Sequence, residues 1–145
     1  MVEFCVQVAI YQLRNGRHFI IENPAGSAKW WQHVFKKMIE HPQVCWGTLD
    51  MCAFGMRDPN GYYYYKPTSL LHSFPDGTLD PVFKRCPGKN LGGASHIHQP
   101  LEGSAPGHGS RTKLAQVYPY RFCSTLIRSL LMFGNLRSLK PSQTL

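Results

Sequence analysis

Arg17-His18-Phe19-Ile20-Ile21-Glu22-Asn23-Pro24-Ala25-Gly26-Ser27-Ala28-Lys29-Trp30-Trp31 is the stretch whose reading decides the fold. His18 to Ile21 are aromatic or β-branched and read as a short buried strand. Glu22, Asn23 and Pro24 stop that strand, and Ser27 is placed to cap a helix after it. A carboxylate and an amide therefore stand at the carboxyl end of a strand that feeds a helix. In open α/β sheets that edge is where ligands bind.

Working outward, Val2 to Leu13 spreads Phe4, Cys5, Val8, Ala9, Tyr11 and Leu13 around the helical wheel. This predicts a largely buried helix stopped by Asn15-Gly16. The alternation of Phe4, Val6 and Val8 leaves a strand as the weaker alternative. Met1 has neither a cap nor a lead-in strand before it and reads as an entry in mid-fold. After Ser27, the residues Trp31, Phe35, Met38 and Ile39 form one helical face that His41-Pro42 ends. Val44 to Met56 and Tyr62 to Phe74 are apolar runs around the turn Asp58-Pro59-Asn60-Gly61, which predicts a β-hairpin. Pro67 threatens to cut the second of these strands short. Tyr62 to Tyr65 alternate faces, two packing and two facing solvent; stacking on bases is their functional reading.

Residues 75–117 hold most of the glycines and no sustained period, which predicts a long irregular loop. From Tyr118 a helix resumes with Pro119 in its first turn. Its core stripe is Phe122, Cys123, Leu126, Ile127, Leu130 and Leu131, and Gly134 ends it. The expected fold class is α/β: a small mixed sheet of about three strands, including the hairpin, flanked by helices. Its first strand is expected to run parallel to one hairpin strand and antiparallel to the other. Residues 1–133 then form one domain, and 134–145 a flexible tail.

The chain has 145 residues, enough for one domain that buries about 68–70% of its unfolded surface. Sixteen Lys and Arg against eight Asp and Glu give a formal charge of +8. This excess favours a polyanionic partner, DNA or RNA, the plain alternative being a solvated basic surface. Lys36-Lys37 and Lys84-Arg85 are too short for a nuclear address. No apolar run approaches the ~20 residues that span a bilayer, so no membrane association is expected. There is no basic segment before an apolar core at the start, and the five cysteines have no regular framework. The expectation is an intracellular protein, nuclear or cytoplasmic and not secreted, with free thiols.

Several constellations carry chemistry. Cys86, His96, His98 and His108 are soft and imidazole donors, but their spacing is not a standard zinc pattern and no Cys-x2-Cys pair supports it. No metal site is assigned on that basis. Cys52 beside Asp50 could be a reactive pair, although a cysteine in an apolar strand is usually inert core. Ser110-Arg111-Thr112-Lys113 could grip a phosphate or be a solvated loop. Gly92-Gly93 and the Gly103 to Gly109 segment do not follow a strand and open a helix, so they make poor nucleotide loops. No nucleophile elbow with Ser, His and Asp is present, which excludes the common hydrolase pattern.

The order of motifs carries a resemblance. Phe19-Ile20-Ile21-Glu22-Asn23-Pro24, Asp50-Met51-Cys52-Ala53-Phe54-Gly55, Lys66-Pro67-Thr68, Cys86, His96, Gly109-Ser110-Arg111-Thr112 and Tyr118-Pro119-Tyr120-Arg121-Phe122-Cys123 follow one another along the chain. In this order they resemble the C-terminal half of a DNA cytosine-5 methyltransferase domain. The similarity is to phage-type members of this class I, S-adenosylmethionine-dependent superfamily and to a related block in copia-type retrotransposon polyproteins. It covers about Gly16 to Leu131.

The resemblance implies a Rossmann-like half domain in which Glu22 matches the carboxylate that contacts the target cytosine, with Asn23 and Pro24 shaping the turn. The Pro-Cys motif of the family's nucleophile and the glycine-rich cofactor loop do not occur in this sequence. It therefore implies a module inactive alone, with Glu22 and Asn23 vestigial, binding S-adenosylmethionine only if a partner chain or a missing N-terminal half supplied the rest. Lys66, Arg111 and Lys113 are the candidate nucleic-acid-binding side chains. The alternative is a small basic domain that binds nucleic acid or protein with no link to methyl transfer.

Overall fold

A computed structural model describes residues 2–31, 33–86 and 96–138. Helix α1 (Val2–Arg14) opens the chain. It ends as its sequence predicts: the Gly16 N–H donates to the Leu13 carbonyl and the Arg17 N–H to that of Gln12. Gly16 takes φ +64°, which completes a Schellman cap. The helix is not largely buried, however. Only Val6 and Ala9 are fully enclosed, while Phe4 and Tyr11 are 67% and 60% exposed. Its apolar residues occupy the whole wheel, and the sheet covers only one side of it.

Strand β1 (Ile20–Pro24) starts later than the aromatic run and continues through the Glu-Asn-Pro edge that was expected to stop it. The reason is its register. Ser73 donates to the Phe19 carbonyl and Ala25 to that of Pro67, so the odd-numbered residues of β1 face its neighbour strand. Pro24 pairs with Thr68 at a position whose N–H would point outward, where its missing donor costs nothing. A 3₁₀ turn, Ala28–Trp31, then leads to α2 (His33–Ile39). Phe35 and Met38 are buried as predicted, and Trp30 joins them; the side chain of Trp31, expected on that face, lies outside the described set.

Strand β2 (Cys45–Asp50) gives way to a second 3₁₀ turn, Met51–Phe54, closed by Gly55 at φ +86°. The Asp58-Pro59-Asn60-Gly61 turn forms as read: Asp58 Oδ1 accepts from the Tyr62 N–H at 2.9 Å. The second expected strand is divided into β3 (Tyr63–Tyr64) and β4 (Pro67–His72), with Pro67 opening β4 instead of cutting it short. Strand β4 lies between the other two, in the order β1-β4-β2, and pairs antiparallel with both. Strands β1 and β2 therefore run the same way, as expected, but do not touch; every pairing within this sheet is antiparallel.

Adjacent residues of β4 show the two faces. Leu71 packs with Val6, Ala9, Phe19, Trp30, Phe35 and Met38 under α1 and α2. Leu70 packs with Leu49, Phe54, Leu79, Val82 and Phe122 on the opposite side.

Residues 75–117, expected to be irregular, carry several short elements. A 3₁₀ turn spans Asp80–Val82; β5 (His98–Gln99) pairs parallel with β3; β6 (Ser104–Ala105) and β7 (Gly109–Ser110) form a small hairpin; α3 (Arg111–Leu114) follows. Elements of two to four residues are too short to display a period, which is why none was legible. The Gly103 to Gly109 segment is spent on this hairpin, and Gly92-Gly93 lies outside the described residues.

Helix α4 (Tyr120–Ser138) closes the second face. The Pro119 carbonyl accepts from the Phe122 N–H at 3.0 Å, so Pro119 caps the helix from just outside it. Its buried stripe is turned from the expected one: Ser129 is enclosed, while Ile127 and Leu131 are exposed. The helix also runs past Gly134, which has no positive φ and no obligation to end it. The expected tail thus begins inside a helix, and residues 139–145 lie outside the described set.

Candidate metal centre and adjoining cleft

The 3₁₀ turn after β2 carries Cys52 to the sheet's upper edge, and the segment after the Asp80–Val82 turn returns Cys86 to the same place. Strand β5 brings His98 beside them, and the residues just before it bring His96. The four donor atoms all lie within 4.8 Å of one another. Cys86 Sγ is 3.5 Å from His96 Nε2 and 3.5 Å from His98 Nε2, and the two imidazole nitrogens are 2.9 Å apart.

The surroundings fix these residues from several directions. Asp50, 2% exposed, accepts the Cys86 N–H at 2.7 Å on Oδ2, the same oxygen that Arg85 Nε approaches at 3.2 Å. Tyr63 stacks on His96 with ring centroids 3.9 Å apart, and Tyr65 leans on His98 at 5.2 Å. This follows from the β3–β5 register, in which Tyr63 stands opposite His98. Tyr64, between them, points into the core and is fully buried.

Burial pushes the Cys52 thiol up to about 12, and the Cys86 thiol and Asp50 carboxylate beside it act in the same direction. Burial, then His98 and Arg57, holds the His96 imidazole below its ordinary range, which favours the neutral, donating form. Two sulfurs and two imidazole nitrogens in this arrangement are a donor set suited to a borderline-soft cation.

Sequence spacing had grouped Cys86, His96 and His98 with His108. The fold substitutes Cys52 for His108, which is exposed in the β6–β7 turn, where its N–H donates to the Ala105 carbonyl. Cys52 was legible as inert core or as a reactive partner of Asp50, not as a ligand, because its metal-site partners arrive from two later segments.

Beside the centre lies a cleft of about 570 Å³ between the Met51–Phe54 turn and the start of α4. Cys52, Arg57, Tyr63, Pro119, Tyr120 and Arg121 line it. Arg57 sits over the Tyr63 ring, 4.2 Å from its centroid, and donates to the Tyr63 hydroxyl. Tyr120 is 82% exposed. Two guanidiniums, two phenol rings and the amino end of a 19-residue helix give the cleft a positive, aromatic character.

The residues singled out from the sequence are distributed differently. Strand alternation puts Glu22 and Asn23 on opposite faces of β1. Glu22 faces the Leu70 side, where burial and then the nearby Glu22 carboxylate push the Tyr118 phenol above its ordinary range. Asn23 donates to Ser27 Oγ at 3.0 Å on the other side. Lys66 lies 5.0 Å from the centre of the Tyr118 ring and donates to the Ala115 carbonyl at 2.9 Å. Tyr118 thus links Glu22 to Lys66. Arg111 donates to the Glu102 carbonyl at 3.1 Å and so holds a loop, while Lys113 is exposed on α3. Cys52 and Asp50 are neighbours in the centre just described.

No helix among the described residues is long and apolar enough to cross a membrane. The chain is thus a mixed α/β domain with a small sheet between helices, a Cys/His cluster and basic, aromatic surface. No known family, curated protein or solved structure matches it.

Proposed function

We propose that this chain is a small basic domain that binds nucleic acid, and that the cleft between the Met51–Phe54 turn and α4 receives a single strand. The observation that carries this reading is the juxtaposition of Arg57 and Arg121 with the rings of Tyr63 and Tyr120 in one open cleft. Guanidiniums suit phosphates, and the exposed ring of Tyr120 suits an unstacked base, since base faces are alike in all sequences, while Tyr63 holds Arg57 in place. The net charge of +8 supplies long-range attraction to a polyanion.

The test is fluorescence anisotropy of labelled single- and double-stranded oligonucleotides across a salt series. Binding of the single strand is expected to weaken with salt, and each of Arg57→Ala and Arg121→Ala to reduce the logarithmic salt slope by about 0.7. No binding at low salt would remove this reading.

A second reading keeps the methyltransferase resemblance. It is supported by the antiparallel pairing that sets Pro24 against Thr68, so the Glu-Asn-Pro and Lys-Pro-Thr motifs meet, and by the Glu22–Tyr118–Lys66 link beside them. Among the described residues the outer edge of β1 has no strand partner, and a partner chain or further segment would add its strands there. The chain alone is then inactive, and titration with labelled S-adenosylmethionine, with and without DNA, is expected to show no binding. Saturable binding by the chain alone would instead make it a cofactor-binding unit in its own right.

A further inference from the structure

We infer that Cys52, Cys86, His96 and His98 bind one zinc ion as a closed, structural site. This stands on the geometry of four side chains and is independent of any nucleic-acid binding. A tetrahedral ion with Zn–S near 2.3 Å and Zn–N near 2.0–2.1 Å requires sulfur and nitrogen ligands to stand about 3.6 Å apart and two nitrogens about 3.3 Å apart. The Cys86 sulfur stands 3.5 Å from both imidazole nitrogens, the nitrogens stand 2.9 Å apart, and the Cys52 sulfur lies within 4.8 Å of all three. Both histidines offer the same ring nitrogen, Nε2, to one point.

Hydrogen bonding alone explains this cluster poorly. Two thiols and two imidazoles can share only a few protons, and each imidazole already has an aromatic ring, Tyr63 or Tyr65, fixing its plane. A dication satisfies all four donors at once. Binding releases the two thiol protons and leaves a neutral centre of two thiolates, two neutral imidazoles and Zn²⁺. Asp50 acts from behind the ligands: its acceptance of the Cys86 N–H fixes the backbone from which that sulfur projects.

Four protein ligands leave no open position, so the ion ties structure together instead of activating water. What it joins is the turn after β2, the segment after the Asp80–Val82 turn, and β5. These pieces are distant in sequence and otherwise share few regular pairings; β5 itself is two residues long. The donor set of two sulfurs and two nitrogens selects zinc over calcium or magnesium, which prefer oxygen.

The test uses the full chain without a metal-binding tag, purified from zinc-supplemented culture. Elemental analysis is expected to find about one zinc per chain, at most a tenth of that in Cys52→Ser and Cys86→Ser, and full loading in Cys45→Ser, whose thiol faces Asp76 elsewhere. Cobalt(II) added to the chelated wild type is expected to give intense visible bands of tetrahedral geometry with sulfur charge transfer in the near ultraviolet. This second measurement does not depend on the variants folding. A folded wild type that carries no zinc and gives no such cobalt spectrum would overturn the assignment, as would Cys86→Ser that retains full zinc.

Discussion

Tyr63 lies flat against His96, ring over ring, at a centroid distance of 3.9 Å. Arg57 also lies over this phenol, 4.2 Å from its centroid, so one ring contacts both a cation and an imidazole. The stack holds His96 in the plane that aims Nε2 at Cys86. An aromatic pair contributes about 0.5–1.5 kcal/mol beyond its buried area, and a partly exposed cation–π contact about 0.5–1 kcal/mol. Tyr63→Ala should therefore lower the unfolding free energy by about 1–2 kcal/mol. Tyr63→Phe, which keeps the ring and loses only the hydroxyl's bond to Arg57, should lie much nearer wild type. Denaturant unfolding of the three proteins checks this; equal losses in Ala and Phe would show that the hydroxyl, not the stack, matters.

Gly47 is central in β2, where it faces Leu70 of β4. A Cβ at this position would run into the ring of Phe83, which lies over the strand and stacks with His72 at a centroid distance of 5.8 Å. The absent side chain is the room that Phe83 occupies. Gly47→Ala must push that ring away from His72 and the adjoining core, at a cost of about 1–3 kcal/mol for an overpacked site. The same exchange elsewhere in a strand would be favourable, so the sign itself is diagnostic. Paired Gly47→Ala and Phe83→Leu substitutions should recover part of the loss, because the smaller side chain vacates the space.

His72 is buried at the end of β4 against Phe83 and Phe74. Burial holds its imidazole below the usual range, while a backbone contact at Phe74 and the charges of Asp76 and Asp80 pull weakly the other way. The folded chain therefore binds this proton less readily than the unfolded chain. Stability is full above the unfolded value of about 6.5 and falls as pH drops through that value towards the lower folded one. Thermal unfolding between pH 7.5 and pH 5 should show a loss that is smaller in His72→Gln. An unchanged pH slope in that variant would locate the acid sensitivity elsewhere.

The parts of the fold that rest on local rules were legible. The Asn15-Gly16 stop, the Asp58–Gly61 turn and the antiparallel relation of β2 to β4 follow from turn chemistry and alternation, which act over a few residues. The end of β1 was misplaced because its aromatic run ended before the edge-strand register could be known, and that register alone explains why Pro24 is tolerated. Exposure of Phe4, Ile127 and Leu131 was illegible for a similar reason: a wheel shows which residues are apolar, not how much surface the three-stranded sheet can cover. The Cys/His cluster failed on spacing. Cys52 enters it from a 3₁₀ turn that no period announces, and Tyr63 and Tyr65 take a supporting place, against imidazoles, that their sequence alternation foretold only as packing or base stacking.

The zinc site and the cleft share a wall, and this gives a prediction that neither makes alone. Cys52 lines the cleft and is a ligand; Tyr63 lines it and stacks on a ligand; Arg57 rests on Tyr63. With zinc removed, His96 loses the bond that fixes its ring, Tyr63 loses its platform, and Arg57 is no longer held over the cleft. Affinity for a single-stranded oligonucleotide should fall about as far on chelation as in Arg57→Ala. Combining the two should then be far from additive, since both remove the same positioned guanidinium. Arg121→Ala, on the opposite side of the cleft at the start of α4, should instead add its full effect to chelation. Anisotropy titrations at one salt concentration, with and without chelator, on wild type and the two variants complete the cycle. Full additivity for Arg57 would mean that the metal supports the domain without shaping the cleft.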